Sequence, residues 1–307
     1  MKFELTILGT SAAVPYKDRY LAGQILNIHN ELFLIDCGEA TQFRFRDLGI
    51  RYSKIKHIFI SHLHGDHCFG IFGVLTTMAM MGRVEALHIH APEGMEEMIE
   101  AVFKATYYKS PFTIHHKRLN TEGYELILEN EKMTVHSFQL DHRVPACGFI
   151  FREKTLPKNI IPEKIKELNL SYDAIKAIKQ GSDYKNTEGV VIPNASLTKP
   201  PLSPRSFAYC SDTRYFEPIL PYIKGVDLLF HEATFMDDMR EHALETGHST
   251  ALQAGLIAEK AEAQKLIIGH FSSRYDDLSV VLAEAQRAFK NTVLALDGFR
   301  YDVDFRN

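Results

Sequence analysis

Four residues able to bind metals fall within six positions, His62-Leu63-His64-Gly65-Asp66-His67, one residue after the apolar run Ile58-Phe59-Ile60. Imidazole nitrogens suit zinc, and a carboxylate among them suits a second cation, so this short segment carries ligands for a pair of metals. Lys56 to Ile60 reads as a buried strand, which puts the cluster where α/β proteins put ligands, at the carboxyl end of a sheet strand. His62 and His64, two apart in an extended loop, point the same way. Asp66 and His67 open the apolar segment Cys68 to Met81, and Asp66 near a helix N-terminus sits where negative charge is favoured. Capping of the strand would explain one histidine; it does not explain four ligands at this spacing.

The rest of the chain must build a scaffold for that loop. With 307 residues, 45% of them hydrophobic, the chain is long enough for one large α/β domain or two small ones. Cys37, Cys68, Cys147 and Cys210 are scattered with no Cys-x-x-Cys pair, which argues against a disulfide framework and against a thiolate zinc site. A reducing cytoplasm is therefore the expected location. The N-terminus passes from one lysine into strand-like alternation, unlike a signal peptide, and no stretch approaches a membrane span. A net charge of −4 supplies no global attraction for nucleic acid, so such a partner would need a local basic surface.

Short β-rich runs alternate with amphipathic segments. Strands are expected at 3–8, 24–29, 32–36, 57–60, 86–90, 124–128, 133–138, 206–210, 227–230, 265–268 and 292–296, and helices at 41–48, 68–80, 93–104, 250–261 and 277–289. Early hairpins followed by strand and helix alternation suggest an α/β fold of two mixed sheets packed together with helices outside. Residues 153–204 break the rhythm with charge, Gly181-Ser182-Asp183 and Pro200, Pro201 and Pro204, and read as an inserted arm in a single domain spanning 1–307.

Three further candidate ligands follow apolar runs: His142, Asp212 and His270. Alone, each is more naturally a cap or turn residue. Converging on the first cluster, they complete two shells, with His62, His64 and His142 on one metal, Asp66, His67 and His270 on the other, and Asp212 bridging. Metals ~3.5–4 Å apart can clamp both sides of an in-line displacement.

This ligand pattern is similar to that of the metallo-β-lactamase superfamily, whose members share a four-layer αβ/βα sandwich and usually a dinuclear site. Finer motifs resemble the ribonuclease Z family of tRNA 3′ processing endonucleases, in its short form, from about residue 3 to about residue 300: Leu8-Gly9-Thr10-Ser11, Asp36-Cys37-Gly38-Glu39-Ala40-Thr41-Gln42, Ser211-Asp212-Thr213-Arg214, His231-Glu232-Ala233-Thr234-Phe235, Gly247-His248-Ser249-Thr250 and His270-Phe271-Ser272-Ser273-Arg274-Tyr275. The resemblance implies a homodimeric endoribonuclease with two Zn2+ per chain, or Mn2+ in their place, and no nucleotide cofactor. Its implied reaction is metal-hydroxide attack on precursor tRNA after the discriminator nucleotide, leaving a 3′ hydroxyl on the tRNA and a 5′ phosphate on the trailer. Asp66 would hold the attacking water, His248 would protonate the leaving oxygen and Glu232 would orient His248. Lys17, Arg19 and Arg274 would contact RNA phosphates. His231, ending an apolar strand, reads instead as a satisfied core histidine.

Two positions depart from the family pattern: Tyr20 stands where its bacterial members have Asn, and Ala40 where Gly is usual. The insertion occupies the place of the family's tRNA-binding arm, and residues 152–185 carry a local charge of +3, the basic surface that phosphates require. Two other readings remain at this stage: a hydrolase of esters, thioesters or lactams on the same fold, and a metal-binding or RNA-docking module without activity. The first has little use for a charged arm, and the second would not need a complete ligand set.

Overall fold

The computed structural model describes residues 2–305. Its two large sheets each contain seven strands. In spatial order the first consists of Arg300–Asp302, Phe3–Gly9, Gly23–Ile28, Glu31–Cys37, Ile55–Phe59, Leu87–Ala91 and Ile114–Arg118. The second runs Thr292–Leu294, Lys265–Gly269, Leu228–Glu232, Ser206–Cys210, Cys147–Glu153, Met133–Gln139 and Tyr124–Glu129. Both are mixed. Hairpins open the first sheet, where His29 and Asn30 take left-handed φ values of 50° and 68°, the backbone that a two-residue turn between right-twisted strands demands.

Aromatic side chains fill the space between the sheets, among them Phe33, Phe59, Phe149, Phe151 and Phe207. Each such ring contributes roughly 1.5–3 kcal/mol by leaving water. A second cluster joins the outer face of the second sheet to the helices Ala251–Lys260 and Leu278–Ala288 through Ile257, Ala254, Val281 and Ala285. On the opposite side, Phe45, Val74, Met78 and Ile99 seat the helices Thr41–Asp47, Ile71–Met80 and Met95–Ala105 on the first sheet. The result is the four-layer α/β sandwich expected from the sequence.

Several boundaries differ from the pattern-based reading. The apolar stretch 68–80 is two helices, Gly65–Cys68 and Ile71–Met80. The break lies at Gly70, which donates its N–H to Cys37 O at 2.8 Å and approaches Gly38 so closely that a Cβ would fall 1.9 Å from the Gly38 carbonyl oxygen. Within the second helix Ile71, Val74, Leu75 and Met78 are core residues, whereas Met80 and Met81 beyond them are exposed. Strands Ile114–Arg118 and Cys147–Glu153 were not expected. The first is a polar edge strand of His, Lys and Arg, without an apolar face to announce it. The second is a continuous buried run, a pattern that period alone cannot assign.

Glu153 ends that strand with its carboxylate against Arg205 at 2.8 Å. Beyond it, residues 159–199 form the helices Pro162–Glu167 and Tyr172–Lys179 and two short ribbons. They have their own small core of Ile160, Leu170, Ile178 and Leu197. Buried Asn194 ties it together, donating from Nδ2 to Ile178 O and Ser182 O and accepting from Lys158 Nζ at 2.8 Å.

Candidate metal centre and cleft

Parallel pairing brings the strands Ser206–Cys210, Leu228–Glu232 and Lys265–Gly269 to a common end, and Asp212, Thr234 and His270 follow them there. The antiparallel strand Met133–Gln139 delivers His142, and the strand Ile55–Phe59 of the other sheet delivers the segment 61–67. Seven residues, from His62 to His270 in the sequence, thus meet between the two sheets. His62, His64, His142 and Asp212 have ligand atoms within 4.8 Å of one another, as do Asp66, His67 and His270.

The nitrogens face each other at short range. His62 Nε2 and His64 Nδ1 are 3.1 Å apart, His64 Nδ1 and His142 Nε2 3.2 Å, and His67 Nε2 and His270 Nε2 3.1 Å. Two ligands ~2.0–2.1 Å from a tetrahedral metal lie at about such separations. Asp212 stands between the groups: Oδ2 is 3.6 Å from His62 Nε2 and 3.9 Å from His142 Nε2, while Oδ1 is 3.4 Å from both His67 Nε2 and His270 Nδ1. Oδ1 is buried and, among the described residues, makes no hydrogen bond of good geometry. A buried carboxylate oxygen without a donor is costly unless a cation satisfies it, so the donor set fits one or more metal ions.

Neighbouring groups set the ring orientations, as around metal-binding histidines generally. Asp36 Oδ2 lies 2.8 Å from His67 Nδ1, and the same carboxylate accepts from Ser61 N, Ser61 Oγ and Tyr209 OH. Asp36 is fully buried and holds a left-handed φ of 54°. Gly247 O receives His142 Nδ1 at 2.7 Å, and Thr234 Oγ1 lies 2.9 Å from His270 Nδ1. Gly247 itself needs its glycine, since φ is 83° and a Cβ would meet His142 Nδ1 at 2.8 Å. Asp36 and Thr234 lie within the family-like motifs quoted from the sequence, but nothing in those motifs says which imidazole each one holds; only their contacts reveal it.

His248 sits at the rim, its Nδ1 2.9 Å from Glu232 Oε1 and 3.9 Å from Asp212 Oδ2. Burial works against a charged ring here, but Glu232 and Asp212 outweigh it and raise the His248 pKa to about 9. Glu232 is completely buried and is fixed by Thr213 N, Thr234 N and Thr234 Oγ1. Asp66 accepts from Ala13 N at 2.8 Å. Burial opposes its ionisation, yet His67 and His270 hold its carboxyl well below the usual range. His231 is buried with Nδ1 2.7 Å from Glu232 O, though its Nε2 has no hydrogen-bond partner among the described residues.

The centre opens into a cleft of about 710 Å3 lined by Asp66, His248, Phe69, Arg143, Phe235, His242 and Arg274, among others. Arg274 is exposed at this rim. Lys17 and Arg19 are engaged elsewhere: Lys17 Nζ bonds Asp276 at 2.7 Å, and an Arg19 Nη2 reaches the carbonyls of Ser272 and Tyr275 at 3.3 Å. Tyr20 lies under the Arg44 guanidinium at 4.5 Å and donates its backbone N–H to Asp297.

The family described as beta-lactamase superfamily domain matches residues 177–271, and the family described as anti-Pycsar protein Apyc1 matches residues 3–154. Fold and site together define a metallo-β-lactamase fold protein. Full-length similarity narrows the class. The chain is 45% identical over 307 residues to ribonuclease Z of Cytophaga hutchinsonii, covering 100% of this chain and 98% of that relative. It is 44% identical over 294 residues to ribonuclease Z of Bacteroides fragilis, covering 96% and 97%. The chain belongs to the ribonuclease Z family of endoribonucleases. Its fold matches that of human tRNase Z, short form, with a TM-score of 0.71 at 24% identity, covering 98% of this chain and 99% of that one. A diphosphatase of the PhnP family shares the fold as well, with a TM-score of 0.63 at 18% identity, covering 99% of both chains.

Proposed function

We propose that the chain is a zinc-dependent endoribonuclease that removes the 3′ trailer from precursor tRNA, cutting after the discriminator nucleotide to leave a 3′ hydroxyl and a 5′ phosphate. The carrying observation is the placement of Asp212, whose two oxygens face two separate imidazole groups, beneath a cleft whose rim holds the His248–Glu232 pair. His62, His64 and His142 would hold one ion, Asp66, His67 and His270 the other, and Asp212 would bridge. Two zinc ions, or manganese, would supply Lewis acidity at the phosphate and make water a better nucleophile.

The chain's own residues do the rest. Asp66, kept ionised and steadied by Ala13 N, accepts the proton of the attacking water. Glu232 occupies Nδ1 of His248, so the proton on Nε2 is the one delivered to the ribose 3′ oxygen, a poor leaving group that needs an acid. Arg274 stands at the cleft to hold a flanking phosphate. The basic arm at about 153–204 would grip tRNA away from the scissile bond, and a homodimer in the cytoplasm is the expected working form. No helix among the described residues is long and apolar enough to cross a membrane.

Mapping both new ends after incubation with one precursor tRNA tests this reading. The expected products end and begin at the discriminator junction, and a chelator abolishes them. Asp212→Ala should disturb both ion sites, giving less than one metal per chain; full occupancy with full cleavage would refute the assignment. Shortening the arm should raise KM for precursor tRNA while sparing a small phosphodiester, because that binding energy is remote from the reacting atoms.

A further inference from the structure

The cleft extends past the groups assigned above. Its far wall is the helix Arg240–Thr246, which presents His242 and Thr246 to the open space. The His242 side chain is 39% exposed, and Glu245 stands 4.0 Å away, at the limit of an ion pair. Behind it lies Phe235, only 4% exposed. The Phe235 ring meets His242 edge-on with centroids 5.0 Å apart, and it meets His248 with centroids 6.0 Å apart. A buried phenyl ring therefore links the proposed acid to a second, accessible imidazole.

We infer that His242, backed by Phe235, forms a base-binding lobe for the nucleotide whose 3′ oxygen leaves. The inference rests on the proposed endonuclease reading. With His248 against the leaving oxygen, the ribose bearing that oxygen lies at the rim, and its base reaches about one ring further into the cleft. Phe235 spans that interval and places the His242 imidazole at its end. Stacking on an aromatic ring is tolerant of base identity, because every base has a π-face. The lobe thus takes any discriminator base, and its contribution vanishes only when no base is present. Arg143, exposed on the same rim, adds a cation beside the backbone of that nucleotide.

Single-turnover cleavage of three precursor tRNAs tests it: one intact, one abasic at the discriminator, one abasic at the first trailer nucleotide. The wild type should cut the discriminator-abasic substrate ~5- to 150-fold less efficiently than the intact one, the range that one stacked base supplies. In His242→Ala the ratio between those substrates should fall close to one, and His242→Phe, which keeps a ring, should restore it. Equal losses on intact and discriminator-abasic substrates would overturn the lobe. So would a His242-dependent ratio that appears only for the trailer-abasic substrate, which would put the other nucleotide there. A wild type that cuts none of the three, with metal loaded, would instead overturn the precursor-tRNA reading and this inference with it.

Discussion

His248 Nδ1 lies 2.9 Å from Oε1 of Glu232, a carboxylate with no exposure to solvent. Three other donors, from Thr213 and Thr234, fix that carboxylate in place. A buried anion so oriented does for an imidazole what it does in other acid–base pairs: it holds one tautomer and favours the charged ring.

His248→Ala should slow single-turnover cleavage of precursor tRNA by ~10²–10⁴, the usual contribution of a positioned acid. Hydrolysis of bis(p-nitrophenyl) phosphate should slow much less, because p-nitrophenolate leaves without a proton. Asp66→Ala should slow both. Metal content must be measured in each variant so that lost ions are not mistaken for lost chemistry. Equal slowing of both substrates by His248→Ala at full occupancy would remove the leaving-group role.

Asp36 touches His67 and no other proposed ligand, and it is the hub for Ser61 and Tyr209. Replacing it with Asn should weaken zinc binding by ~10–100-fold, as is typical when a carboxylate behind a metal-binding histidine is lost. Competition against a chromophoric chelator reads this directly. An unchanged affinity would mean that the His67 ring is held by packing alone.

A ladder of imidazoles lies across three adjacent strands of the first sheet. His57, His88 and His115 are cross-strand partners with ring centroids 4.9 and 4.8 Å apart, and His57 Nδ1 lies 3.1 Å from His90 Nε2. Burial first, then neighbouring imidazoles and lysines, push His57 down to about 4 and His90 to about 3. Both rings are neutral in folded and unfolded chains above an ordinary pKa of ~6.5, so stability is flat there. Below it the unfolded chain takes up protons that the folded chain refuses, and stability falls until pH drops through the folded values. The difference in unfolding free energy between pH 8 and pH 5 should therefore shrink by about 1–2 kcal/mol in His90→Leu. Denaturant titrations at the two pH values check it, and an unchanged difference would count against the ladder.

Ala40 precedes the helix Thr41–Asp47 with φ 68°. A left-handed backbone costs an L-residue roughly 1–2 kcal/mol, part of which a glycine gives back as greater freedom in the unfolded chain. Ala40→Gly should thus stabilise the protein by about 0.5–1 kcal/mol in equilibrium unfolding. Destabilisation would show that the Ala40 methyl packs more tightly than its half-buried position suggests.

Much of the cluster was legible because its candidate ligands are chemically distinctive and sit at strand ends. His62, His64, Asp66 and His67 announce themselves by density, and His142, Asp212 and His270 by the apolar runs before them. The strands that alternate or end in turns were likewise readable, while Ile114–Arg118 and Cys147–Glu153 lacked a period to read. Lys17 and Arg19 show the limit in the other direction. As sequence they are two cations in a loop, and only the folded chain shows one paired with Asp276 and the other with carbonyls of the segment 272–275.

By itself, then, the sequence determined which residue types could hold metals and roughly where each candidate ligand leaves its strand, since residue type and local period are one-dimensional properties. Tertiary structure alone decided which atoms of those residues face each other. Asp36 becomes the anchor of His67 only because strand Glu31–Cys37 pairs in parallel with Ile55–Phe59. His242 and Phe235 meet, ring centroids 5.0 Å apart, only in the folded chain. Such contacts join positions far apart in the chain through sheet register and core packing, and these are fixed by the free energy of the whole fold rather than by any local segment.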